Sequence, residues 1–165
     1  MSTFLISQIL VTLAIGFDLF SFQLKQREKM LVCFMSAATL IAIHFLLLEK
    51  WTAAALSFLA VARFITSYFT TSIVVRNTFI TLSLIIGIVT FHGGLSVLST
   101  LGAIFGTMSA FEKNDKQLRQ LMMVATSFWI IHNTLALTPV AVVMELLFIS
   151  SNAVGYYRFY IKKRK

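Results

Sequence analysis

The chain has 165 residues, 58% of them hydrophobic and 12% charged, with a formal net charge of +8 at pH 7. Soluble domains carry about a quarter charged residues, so this composition excludes an ordinary soluble domain and points to a polytopic membrane protein. The positive charges gather in short segments between apolar runs and at the C-terminal end, which is a pattern of membrane topology and not a nucleic-acid footprint. The single cysteine, Cys33, excludes an intrachain disulfide, and Pro139 is the sole proline.

Seven apolar runs follow in order, over residues 3–22, 30–48, 51–72, 78–91, 95–111, 118–137 and 139–157. The first lacks a basic leading region and a small-residue cleavage site, so it reads as a retained span. Most runs approach the roughly 20 residues a helix needs to cross a bilayer. Residues 77–111 as one helix would measure about 52 Å, too long for one crossing. His92, Gly93 and Gly94 supply the break, which makes two spans. Seven crossings with the N-terminus outside and the C-terminus inside place every Lys and Arg except Lys50 and Arg63 on the inner side. The positive-inside rule selects that orientation.

An internal echo organises these runs. Residues 38–69 laid on 126–157, an offset of 88, pair Ile43 with Ile131, His44 with His132, Leu47 with Leu135, Ala53 with Ala141, Leu59 with Leu147 and Tyr68 with Tyr156. Four spans lie within that period, so the two copies cross in the same sense. The expected architecture is all-α: two parallel three-helix repeats, over residues 1–76 and 94–165 with its basic tail, joined by a linker helix over 77–93. A cavity is expected between the bundles near mid-depth.

Ser21-Phe22-Gln23, Lys25 and Arg27, then His44-Phe45, Ala53-Ala54 and Arg63, resemble the YgjV-type bacterial inner membrane proteins over essentially the whole chain. These belong to the broader PQ-loop group, and the 3-1-3 plan is similar to that of the SWEET sugar facilitators and their half-sized SemiSWEET relatives. That resemblance implies a bacterial inner-membrane facilitator. It also implies that Asn152, in Asn152-Ala153-Val154-Gly155, offers its amide to a sugar-like solute and that Trp129 stacks on it. Phe22-Gln23 stands where the PQ dipeptide would be, and the position matching Asn152 in the first copy is Phe64.

Arg63 is the most informative single residue, because a charge inside a span costs about 2.5 to 3.5 kcal/mol and normally faces a partner or water. It lies about 18 Å from the outer edge and Asp18 about 22 Å, depths that predict an ion pair between the first and third helices. His132 and Glu145, about 8 and 9 Å deep, form the corresponding expected polar pair, with His44 as the counterpart of His132. Asn152 and Trp129 suit a polar solute by amide hydrogen bonding and ring stacking. Gln8 and Gln23 are further polar candidates at the two ends of the first helix. Gly16, Gly102 and Gly106 suit close packing.

No nucleotide loop, metal-ligand spacing or nucleophile–base pair is present in the sequence, so no enzyme, metal or cofactor is expected. The reading is a facilitator of a small polar metabolite working by alternating access. Its partners are the lipid bilayer and that solute, with no nucleic acid, and the composition is compatible with a homo-oligomer. The alternative is a non-transporting scaffold whose polar residues only join helices. A cavity lined by Asn152 and Arg63 would favour the first.

Overall fold

The computed structural model describes residues 2–21, 24 and 26–162. Its elements are all helical: α1 Thr3–Ser21, α2 Arg27–Leu47, α3 Trp51–Phe69, α4 Ile73–Val89, α5 Gly94–Ala110, α6 Asp115–Leu135 and α7 Pro139–Tyr156, which continues into a π-helical turn over Tyr157–Ile161. Of these, α1, α2, α3 and α7 with its π-turn are long and apolar enough to cross a bilayer. The helices α4 and α5, of 17 residues each, are apolar but shorter.

Short turns make successive helices antiparallel. The turn from α2 to α3 and the turn from α6 to α7 are built alike. Lys50 N–H reaches the Phe45 carbonyl and Glu49 N–H the Leu46 carbonyl, just as Thr138 reaches Asn133 and Leu137 reaches Thr134. This is the Schellman closure, and the left-handed residue it demands is Glu49 in one turn and Leu137 in the other, both at φ 57°. Between α4 and α5 the positive φ, 84°, falls on Gly93, where a side chain would be strained.

Six helices close a ring in the order α1, α2, α3, α5, α6, α7, back to α1, while α4 lies outside against α3 and α5. The burial pattern is that of a protein solvated by lipid. Ile73, Val74, Ile88 and Val89 of α4 are among the most exposed apolar residues, and only Ser83 and Gly87 of that helix are buried. Polar side chains, among them Asp18, His44, Arg63, Arg119, His132, Asn133, Glu145 and Asn152, lie inside.

The predicted breaks shift in two places. The third run ends at Phe69, and α4 starts at Ile73 instead of Thr78, so Arg76 sits in its first helical turns and not in a loop. Three consecutive hydroxyl residues, Thr70 to Ser72, explain the earlier break: the Ser72 N–H donates to Thr70 Oγ1 (3.2 Å) in a side-chain turn that competes with helix. The sixth run begins earlier as well, at Asp115, where Asn114 caps α6 by accepting from the Lys116 N–H (2.9 Å).

At the end carrying Arg27, Arg76, Lys113 and Arg158, arginine side chains hold the helix termini. Arg27 donates to the carbonyls of Ser67 (2.7 Å), Ala110 (2.7 Å) and Glu112 (3.2 Å), joining the C-terminal ends of α3 and α5. A cation is favoured there because the last carbonyls of a helix lack intrahelical donors. At the opposite end a hydroxyl cluster ties α3, α4 and α5: Thr52 Oγ1 donates to the Thr90 carbonyl (2.6 Å) and lies 3.1 Å from Ser96 Oγ.

The outer helix docks through Gly87, where an added methyl would overlap the Thr100 side chain. Thr100 is held by its own bond to the Ser96 carbonyl (2.7 Å) and cannot swing away freely. Gly87→Ala is therefore expected to destabilise the protein by about 1 to 3 kcal/mol. Gly16→Ala, with nothing within 4 Å, should leave the protein as stable as the parent or up to about 1 kcal/mol more so. Melting temperatures of the two variants in one detergent check the contrast.

Candidate functional site

A cavity of about 110 Å³ occupies the middle of the ring and takes lining residues from all six ring helices and none from α4. Its polar surface comes from Asp18 on α1, His44 on α2, Ser57 and Arg63 on α3, Thr126, Trp129 and Asn133 on α6, and Glu145 on α7. Small residues of α5, Gly102, Ala103 and Gly106, form one wall, and Phe34, Phe45, Phe64 and Phe148 form much of the rest.

Arg63 is 95% buried, and its position is fixed from one side. Nη1 donates to the Ala103 carbonyl (3.0 Å) and to Thr107 Oγ1 (2.9 Å), both on α5. The guanidinium also lies over the Phe64 ring, 4.6 Å from its centroid. Gly106 makes this approach feasible, since a methyl there would stand 3.3 Å from Nη2. Nε has no hydrogen-bond partner, and no carboxylate pairs with the group among the described residues.

The expected Asp18–Arg63 ion pair is therefore not formed. Similar depth did not bring the two together, because Arg63 is drawn to the α3–α5 contact while Asp18 belongs to α1, which packs on α2 and α7. Asp18 lies instead within electrostatic range of Glu145 on α7. Neither carboxyl group makes a side-chain hydrogen bond to another described residue, although they are 95% and 91% buried.

The expected His132–Glu145 contact is also absent. His132 Nδ1 sits 3.1 Å from Asn133 Oδ1, and its ring packs edge-on against Phe45 and Trp129. It lines a second pocket, of about 180 Å³, with Glu49, Lys50, Trp51, Thr52 and His92 near the hydroxyl cluster. His44 lines the central cavity with Nδ1 3.0 Å from the Ser7 carbonyl, an acceptor that fixes the proton on Nδ1 and leaves Nε2 unpartnered.

Trp129 is in the cavity wall, stacked on Phe45 at 5.8 Å, and it rests against Gly102, where a methyl would come within 2.7 Å of the indole nitrogen. Asn152 is fully buried but lies outside the cavity lining. Its Nδ2 donates to the Arg119 carbonyl (2.8 Å) and joins α7 to α6. Gln8 is buried and donates to Ser7 Oγ (3.0 Å), whereas Phe22 and Gln23 lie outside the described residues. Gly102 and Gly106 serve close packing, and Gly16 faces open space.

Two features escape a reading of the sequence alone. Asn133 presents an unpartnered Nδ2 at the cavity, but its place there depends on the rotation of α6, which the flanking apolar residues leave open. Arg119, counted on the inner side at the start of the sixth run, is wholly buried. It reaches the Leu24 carbonyl (3.4 Å), lies over the Phe159 ring (5.4 Å), and belongs to a group in which Tyr160 donates to Asp115.

The absence of an ion pair has a thermodynamic consequence. Removing one partner of a buried ion pair costs about 3 to 5 kcal/mol. Asp18→Asn, which removes a buried acid with no ion-pair partner among the described residues, is expected to change stability by less than about 1 kcal/mol in either direction. Thermal unfolding of that variant beside Thr107→Val, which removes a hydrogen bond to a charged group worth about 1.5 to 3 kcal/mol, gives the comparison.

Among known families, the one described as bacterial inner membrane protein, Imp-YgjV, matches residues 5–163. The inner membrane protein YgjV of Escherichia coli strain K12 is 28% identical over 155 residues, covering 94% of this chain and 84% of that protein. No solved structure matches the chain. A match over nearly all of its length, together with helices long and apolar enough to cross a bilayer, places this chain in the YgjV family of bacterial inner membrane proteins, as a multi-pass member.

Proposed function

We propose that the chain is a facilitator that passes a small polar solute across the inner membrane by rocking two helix bundles about the central cavity. The observation that carries this reading is the cavity itself, with Arg63, Asp18 and Glu145 held inside it and forming no ion pair among the described residues. Ionisable groups inside a membrane protein mark solute or ion paths, since burying them merely to join helices would leave them paired. A scaffold would need no such space.

The architecture behind the proposal is two parallel three-helix repeats, α1–α3 and α5–α7, joined by α4 in a SWEET-like 3-1-3 plan with seven crossings. Several facts support it. An offset of 88 carries α2 onto α6 at both ends and α3 onto α7 at its start. It also carries Glu49 onto Leu137, the two left-handed turn residues. The ring is unchanged by the exchange, because α1–α2 becomes α5–α6, α2–α3 becomes α6–α7, and α3–α5 becomes α7–α1. A near-two-fold axis through the cavity would let either bundle move against the other, as in transporters built from repeats. Gly106, packed on Arg63 across the α3–α5 contact, lies on the surface that would slide.

The N-terminus is proposed outside and the C-terminus inside, in keeping with the basic residues at one end. Cysteines introduced at Ser2 and at Lys162, with Cys33 changed to Ser, are expected to react with an impermeant thiol reagent from opposite sides of the membrane. Labelling of both from one side would contradict seven crossings. For the transport step, the purified protein in vesicles should support counterflow of small polar solutes without ATP. Ala38→Phe, which fills the cavity, should reduce that flux at least tenfold while the protein remains folded by circular dichroism; unchanged flux would contradict passage through this site.

A further inference from the structure

We infer that the central cavity is a site for a small zwitterion of the amino-acid type, which rests on the facilitator reading and names its solute class. The argument begins with how charge is divided between the walls. The guanidinium of Arg63 is tethered to α5 through Nη1 alone, which leaves Nε without a partner and Nη2 beside Gly106. The acids sit on α1 and α7, which contact each other on the part of the ring away from the α3–α5 contact. One wall thus offers a guanidinium and the other a pair of carboxyl groups.

Each solute class meets this cavity differently. A carboxylate matches the fork of an arginine, and an ammonium supplies three donors to acceptors. An ammonium between Asp18 and Glu145 would supply the counter-charge that two like groups facing each other across an apolar interior need in order to ionise. A plain anion would satisfy Arg63 and leave the carboxyl groups without a counter-charge. A plain amine would do the reverse, and an uncharged polyol would leave Arg63 without a counter-ion. Only a solute carrying both signs supplies a partner to both walls at once.

Size narrows the class. A cavity of 150 Å³ holds benzene with its six heavy atoms, so one of about 110 Å³ takes a solute of roughly four or five. Glycine meets that limit, while a hexose has more than twice as many heavy atoms and does not fit this conformation. The flanking Phe34, Phe64 and Phe148 rings leave no space for a long or charged side chain.

The test is calorimetric titration of the full chain in lipid nanodiscs at pH 7 with glycine, acetate, methylamine and ethylene glycol. Acetate is glycine without its amine, methylamine is glycine without its carboxylate, and ethylene glycol is uncharged and of similar size. Glycine is expected to bind at least tenfold more tightly than each of the others. Arg63→Gln should abolish its advantage over methylamine, Asp18→Asn should lessen its advantage over acetate, and Arg63→Lys should retain part of the selectivity. Should Arg63→Gln fail to fold, the ranking on the parent protein decides alone. Equal or tighter binding of any comparator, or no binding of glycine, overturns the assignment. Vesicle counterflow separates the two levels: ethylene glycol crossing where glycine neither binds nor crosses would refute the zwitterion and leave the facilitator. Glycine binding without any solute crossing would refute the facilitator and leave the site.

Discussion

The structure turns on a guanidinium held in a membrane protein's interior without a counter-ion. Desolvating such a group is costly, and here the cost is offset from one side by α5: a carbonyl, a threonine hydroxyl and the space left by Gly106. Ala103, Gly106 and Thr107 lie on the face that meets α3, and that contact closes the ring. The cavity follows, since drawing Arg63 toward α5 keeps it from the acids on α1 and α7.

Arginines elsewhere do a different task. Arg27 and Arg119 reach backbone carbonyls near helix ends, where unsatisfied acceptors welcome a cation. They brace one end of the ring while leaving its centre open. Under the proposed duplication the backbone is symmetric and the charge is not. Asp18 corresponds to Gly106, Arg63 to Ser151 and Glu145 to Ser57, so each charged position has an uncharged mate. A duplicated scaffold that keeps each ionisable group in a single copy is a simple route to a cavity with a guanidinium on one wall and carboxyl groups on the other.

Much of this was legible in the sequence. The seven apolar runs became seven helices, and α3 and α7 begin at Trp51 and Pro139 where their runs do. That Arg63 and Trp129 border a central space was also expected. The partners of the buried polar groups were not legible. Depth along a helix is read from residue number, but rotation about the axis decides which neighbour a side chain meets, and helices apolar on every face leave that rotation undetermined. Asp18 and Arg63 were matched by depth and parted by rotation. Asn152 and His132 were likewise at suitable depths, yet one binds the Arg119 carbonyl and the other lines the pocket near Trp51 and His92. Charge counting put Arg119 on the inner side without showing its burial, because an arginine near a helix start looks the same whether it faces water or the core.

The central claim is that the middle of the ring is a space reached from water and not a sealed packing gap. Its most direct test is thiol accessibility at Ser57, a buried cavity residue on α3, with Cys33 changed to Ser. A cysteine at Ser57 is predicted to react with a small impermeant thiol reagent applied to either side of the membrane, while one at Ser83, buried on α4 away from the cavity lining, stays unreactive. A Ser57 cysteine as inert as the Ser83 control from both sides would contradict the account.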